Sequence, residues 1–227
     1  AIKSALMTTG TSTLNDGLAA PQNGLLPWAQ GAGHVAPTKA LDPGLVYDAG
    51  KGDFIRYQCN VNKPAVSPAS DFITYGTLDQ TYNFNLPSIT VGGVVGNTVV
   101  TRKVTNVGAG SATYSATASV PGFTAVVTPS SLTLAPGETK SFTLTLTAAG
   151  AADGQWSFGS LVWSDGAHTV RSPVTARTGQ SIQAPAELTA TTVSGNRLIT
   201  LNTNFSGRPT ANKGGMKPVS MASIAAL

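Results

Sequence analysis

Through the second half of this chain apolar and polar residues alternate one for one, the period of a β-strand with a single face on a core. The cleanest run is Ser141-Phe142-Thr143-Leu144-Thr145-Leu146-Thr147, which puts Phe142, Leu144 and Leu146 on one side. Upstream, Val100, Arg102 and Val104 alternate with Val99, Thr101, Lys103 and Thr105. The same reading predicts strands over 112–120, 123–128, 131–134, 140–147, 159–163 and 169–175. Turn residues separate them: Gly108-Ala109-Gly110, Pro121-Gly122, Pro136-Gly137 and Asp165-Gly166. An Asp-Gly pair between apolar runs is a strong hairpin signal.

The first 82 residues follow another rhythm. Ala1, Ile2, Ala5 and Leu6 have the spacing of one helix face, and Gly10 can end that helix in a left-handed cap. No N-cap residue precedes it, so the chain is expected to open inside a longer helix. Gly31 to Asp48 reads as neither helix nor strand. Its glycines and prolines suggest a shaped loop, pinned through Leu45-Val46-Tyr47 to a surface that the rest of the chain does not obviously supply. A short helix is expected over 52–59 with Asp53 as N-cap, followed by irregular chain around Pro64 and Pro68. Beyond Thr178 comes a polar joint, Gly179-Gln180-Ser181, then a strand-like stretch from Glu187 to Leu201.

About seven short strands over roughly 95 residues is the rhythm of an immunoglobulin- or fibronectin-like β-sandwich. The fold class is therefore mainly β. Composition agrees: charged residues make up only 11%, and Ser, Thr, Gly and Ala fill the gap, as on extracellular β-proteins. A net charge of +4 is spread along the chain, and its most basic patch is Arg102-Lys103, so a nucleic-acid partner is not expected. No apolar run approaches a membrane span. Cys59 is the only cysteine, which excludes an internal disulfide and reads as a small buried hydrophobe.

Few residues suggest chemistry. Asp42 and Asp48 flank a DPG turn, where Asp side chains cap local amides. Asp48 and Asp53 bracket Ala49-Gly50-Lys51-Gly52, but the calcium-loop spacing is absent and Lys51 has the wrong charge. His34 reads as an imidazole bonded to loop backbone, and His168 as a solvent-facing hairpin residue. Trp163 falls inside a strand and should pack in the core. Trp28, Tyr47, Tyr57 and Trp156 could line a groove, Trp156 being the best placed for exposure. Asn204-Phe205-Ser206 has the form of a glycosylation sequon and reads as chance.

Several segments, in order, carry a resemblance: AIKSALMTT, GAGHVAPTKALDPGLVYD, DFIRYQC, LPSI, TRKVTNVG and FGSLVWSDGAHTVRSPV. Together they closely resemble the C-terminal part of the large subtilisin-like serine proteases (peptidase family S8) of plants and some bacteria, over about residues 1–177. The tail from about 186 resembles an extra β-domain of bacterial members. The resemblance implies four parts. Residues 1–60 would be a C-terminal remnant of a subtilisin α/β catalytic domain, and 61–82 a linker. Residues 83–178 would be a fibronectin type III-like sandwich, and 179–227 a linker with the start of a further β-domain. In this family the triad runs Asp, His, Ser, and the serine precedes the helix that AIKSALMTT would end. Gly10-Thr11-Ser12-Thr13 follows that helix and lacks the expected Met, so Ser12 is not expected to be a nucleophile. The resemblance thus implies a non-catalytic piece of a secreted endopeptidase, with no catalytic, cofactor or metal residues of its own. Its partners would be its own catalytic domain and the protein or peptide substrates of the parent. A stand-alone binding or adhesion module and a structural spacer are the alternatives. If the catalytic domain is the surface that Gly31 to Asp48 needs, Leu45, Val46 and Tyr47 should be less buried here than Phe142, Leu144 and Leu146.

Overall fold

The computed structural model describes residues 1–11, 28, 30–62 and 74–179, and the pairs 182–183 and 202–203. They fall in two compact units, Ala1–Gly179 and Gln180–Leu227. The sequon at Asn204, Ser12 and the stretch from Glu187 to Leu201 lie outside the described residues. In the second unit β10 (Ile182–Gln183) pairs antiparallel with β11 (Asn202–Thr203).

The first unit opens with α1 (Ile2–Thr8), α2 (Pro37–Ala40), β1 (Leu45–Val46) and α3 (Lys51–Asn62). Pro37 stands at the start of α2, where its missing N–H costs nothing. In α3 the sequence expectation needs one correction. Asp53 sits in the first turn and its Oδ2 accepts from the Gly50 amide at 3.0 Å, so it reaches back to the start of the helix and is not itself the cap.

Eight further strands build the sandwich: β2 (Ile89–Val94), β3 (Asn97–Asn106), β4 (Ala112–Ser119), β5 (Phe123–Thr128), β6 (Ser131–Leu134), β7 (Thr139–Ala148), β8 (Ser157–Ser164) and β9 (Thr169–Thr178). One sheet has the order β1-β3-β7-β5, the other β2-β9-β8-β4-β6. Every pairing is antiparallel except β2 with β9, where Ile89 lies opposite Val174. The inward residues are those the alternation selects. Val100 and Val104 of β3, Phe142, Leu144 and Leu146 of β7, and Leu161 and Trp163 of β8 form one core with Tyr114 and Val174. Phe142 and Trp163 meet edge to face at 5.1 Å.

Arg102 shares the inward register of Val100 and Val104 and is buried. Among the described residues no carboxylate pairs with its guanidinium. Instead it donates to four main-chain carbonyls: Tyr82 at 2.7 Å, Thr101 at 2.9 Å, Leu86 at 3.2 Å and Ser88 at 3.2 Å. Burial pushes its pKa down to about 10, with the Tyr47 phenol partly opposing. One charged side chain thus fixes the entry of residues 82–88 into the sandwich.

The free edge of β3 is covered piece by piece. Val46 and Leu45 pair with Thr105 and Asn106, and Val107 donates to the Gly44 carbonyl at 2.9 Å. Farther along, side chains replace a strand. Lys103 donates its amide to Asn85 Oδ1 and Thr101 donates to Asn83 Oδ1, both at 2.9 Å. Exposed strand edges invite pairing with other chains, and this one is closed along most of its length.

Candidate functional site

The segment from Leu41 to Asp48 meets α1, β3, β4, β9 and the β8–β9 turn. Gly44 has φ +70, and a Cβ there would come within 2.9 Å of the His168 Cβ and Cγ as well as colliding with the Tyr114 hydroxyl. Only glycine suits both the conformation and the space. Next, Tyr47 donates its amide to Ser4 Oγ of α1 at 2.8 Å, and Ser172 of β9 donates its hydroxyl to the Tyr47 phenol oxygen at 2.9 Å. Asn85 donates to the Asp48 carbonyl at 2.8 Å. The expectation about burial is overturned: Leu45 is 0% exposed and Val46 and Tyr47 3%, against 2%, 0% and 0% for Phe142, Leu144 and Leu146. The surface these residues needed is the sandwich itself, because β1 completes its first sheet.

His168 also departs from expectation. Its side chain is only 24% exposed and lies between two carboxylates. Nδ1 is 2.8 Å from Asp165 Oδ2, and Nε2 is 3.2 Å from Asp42 Oδ2. Asp165 is fixed in the β8–β9 turn by the amides of Ala167 and His168, at 3.0 and 2.6 Å from Oδ1. Burial works against its charge, but those bonds and the His168 ring hold its pKa down to about 2. The imidazole is raised above its usual value by its bond to Asp165 first and that to Asp42 second. Burial, then the charge and hydrogen bond of Asp165, push the Tyr114 phenol upward. Asp42 therefore holds a partner across space; it is not a cap of its own turn. A catalytic triad places a nucleophile on one imidazole nitrogen and an acid on the other. Here both nitrogens face acids.

Other candidate residues separate from this cluster. His34 is exposed, and its main chain, not its ring, pairs with Thr11, at 2.8 and 2.9 Å. Asp48 faces the Ala1 amine at 3.2 Å while Asp53 lies 3.8 Å from Lys103 Nζ, so the two carboxylates do not converge. Among the described residues no group of three or more His, Cys, Asp or Glu is placed to hold a metal. Cys59 is buried and unbridged. Trp163 is fully buried, whereas Trp156 is half-buried, edge-on to Trp28 at 5.3 Å and beneath the Arg177 guanidinium at 4.9 Å. Tyr57 stacks on Phe84 at 5.0 Å.

Beside the Asp42 turn lies an apolar groove of about 470 Å³ between α1 and α2. Ile2, Leu6, Pro37, Leu41 and Pro43 line it. Ile2 is 80% and Leu41 88% exposed. Sequence reasoning missed the His168 cluster because its members are 123 and 126 residues from Asp42 (165 − 42 and 168 − 42). The one available signal was the repeated acid-turn form, Asp42-Pro43-Gly44 and Asp165-Gly166.

Two sheets packed on one core, in the orders given above, define a β-sandwich domain of the fibronectin type III-like class, and the sequence comparisons bear on it. The fibronectin type-III domain family matches residues 83–176. Over a longer span the chain is similar to subtilisin-like protease SBT2.5 of Arabidopsis thaliana, 39% identical over 195 residues, which is 78% of this chain and 23% of that protein. SBT5.4 of the same plant is 40% identical over 184 residues, again 23% of its length. The chain spans about a quarter of the length of the curated relatives it matches. Among solved structures, a FixG-related protein from Vibrio parahaemolyticus aligns over 36% of this chain and 78% of its own at TM-score 0.32 and 14% identity. The matched span is similar to the C-terminal region of subtilisin-like proteases, and residues 83–176 form a fibronectin type III-like domain.

Proposed function

We propose that this chain is the non-catalytic portion of a secreted subtilisin-like serine endopeptidase. In this reading the Asp/His/Ser triad resides in the part of the polypeptide that the relatives have and this chain does not cover. The sandwich and its docked segment steady the catalytic domain, and residues 1–60 contribute to it. None of Ser12, His34, Asp42 or His168 takes part in peptide-bond hydrolysis, and no cofactor or metal is required of this portion.

The observation that carries the reading is the groove between α1 and α2. Ile2 and Leu41 expose most of their apolar surface there, and covering such side chains is worth about 1.5–3 kcal/mol each. The catalytic domain is the cover we assign to it. To test this, the chain is expressed with the upstream sequence of the full gene and treated with a fluorophosphonate that labels active serines. Labelling is expected, and Leu41→Asp should lower the melting temperature of the long polypeptide far more than that of residues 1–227. A long polypeptide that folds and is never labelled would overturn the assignment. Labelling with no difference between the two Leu41→Asp effects would remove the docking role alone.

A further inference from the structure

The carboxylates on either side of the His168 ring have a consequence that the proposed protease role does not require. A neutral imidazole has one N–H, and its other nitrogen presents a lone pair. At 2.8 Å from Asp165 and 3.2 Å from Asp42, a lone pair on either side would face the lone pairs of a carboxylate oxygen. Only the imidazolium donates to both. We propose that His168 is a protonation-controlled latch: charged, it ties the Asp42-Pro43-Gly44 turn to the β8–β9 hairpin, and neutral, it lets the Asp42 side go.

The side that opens follows from the two environments. Asp165 is 10% exposed and pinned by two amides, so the single remaining N–H stays with it. Asp42 is 74% exposed and is readily solvated by water. The titratable groups facing the ring are Asp42 from the turn after α2, Asp165 from the β8–β9 turn, and the Tyr114 phenol of β4 at their junction. The upward shift of the imidazole is in the direction this geometry demands. Opening is local. Gly44 remains bonded to Val107, and Leu45–Val46 remain in the sheet. What loosens is the turn bearing Leu41 and Pro43, which forms one rim of the apolar groove.

Amide exchange on residues 1–227, corrected for the base-catalysed rise in intrinsic rates, reads the latch directly. The reporters are the Asp42 amide, bonded to Lys39, and the Leu45 amide, bonded to Pro43; the Tyr47 amide, bonded to Ser4, is the control. As pH rises through the His168 midpoint, followed by ring NMR, protection at the two reporters should fall by roughly 1.5- to fivefold while the control holds, the range of a partly exposed ion pair. Asp42→Asn should lower the His168 midpoint and abolish that pH step. A ring that is singly protonated below the ordinary imidazole midpoint would overturn the proposal, and so would reporter protection that ignores the titration. Both of those readings come from the unsubstituted chain, so they decide the matter even if Asp42→Asn does not fold.

Discussion

The Ser172 hydroxyl donates a 2.9 Å hydrogen bond to the phenol oxygen of Tyr47, across 125 residues of chain and inside the core. It joins the segment before the sandwich to β9, an interior strand of the second sheet. Burial pushes the Tyr47 phenol up to about 12, against the Ser172 bond and the Arg102 charge, so the group stays neutral and serves as acceptor. Tyr47→Phe leaves the buried Ser172 hydroxyl without this partner and should cost about 1–3 kcal/mol in urea unfolding. Adding Ser172→Ala should recover part of that loss. An additive double mutant would mean that the bond contributes nothing of its own.

Leu45 tests whether the leading segment belongs to the core. Truncation of a fully buried leucine costs about 2–5 kcal/mol. We expect Leu45→Ala to fall in that range, alongside Leu144→Ala. A loss under about 1 kcal/mol would mean that β1 detaches before the sandwich unfolds.

Arg102→Lys keeps the charge and loses the fork that reaches four carbonyls at once. Stripping partners from buried carbonyls should destabilise the chain by at least about 2 kcal/mol. The second readout is local: amides of residues 82–88 should exchange faster than those of β7.

Stability should fall at both ends of the pH range, for separate reasons. His168 is raised in the folded state, so its contribution is complete below the ordinary imidazole midpoint and is lost as pH rises through the raised one. Asp165 is lowered to about 2, so its contribution is present above the ordinary carboxylate range and is lost as pH falls toward about 2. In urea titrations Asp165→Asn should flatten the acid limb, and His168→Gln the alkaline one. A variant that leaves its limb unchanged would remove that group from the account.

Gly44→Ala places a methyl group at φ +70 against His168 and Tyr114. The left-handed conformation alone costs about 1–2 kcal/mol, and the collision adds to it. Thermal unfolding should show a loss larger than that for Gly31→Ala, where a Cβ meets nothing within 4 Å at φ +58.

The strands were legible where one face is buried and the other wet. The alternation through Phe142, Leu144 and Leu146 gave β7 within a residue or two, whereas the same period in β3 left open that Arg102 faces inward with Val100 and Val104. Two strands of the sheets in the first unit escaped it. β1 is two residues long, too short to have a period, and it is a strand only because β3 offers an edge. β2 buries Ile89, Val91 and Val94, and Gly92-Gly93 with a register shift between Val91 and Val94 break its alternation. The side chains that bind distant segments, Asn83, Asn85, Ser172 and His168, look in the sequence like any solvent-facing polar residue. Their roles depend on approach in space, which no local pattern encodes. The family resemblance had the opposite weakness: it supplied the parent enzyme as the surface for Leu45-Val46-Tyr47, while the sandwich a few dozen residues on was already that surface.

The closed edge of β3 bears on how this region is handled as a unit of inheritance. The recurring fibronectin type III module begins at residue 83, after β1 and α1. A protein cut at that boundary would keep Asn83 and Asn85 but lose Leu45, Val46 and Tyr47, and it would open the Val107 end of β3 to neighbouring molecules. The portable module and the compact unit Ala1–Gly179 are therefore different lengths of the same polypeptide. Shuffling the module alone into another protein should yield a soluble domain only where the new host brings its own two-residue strand.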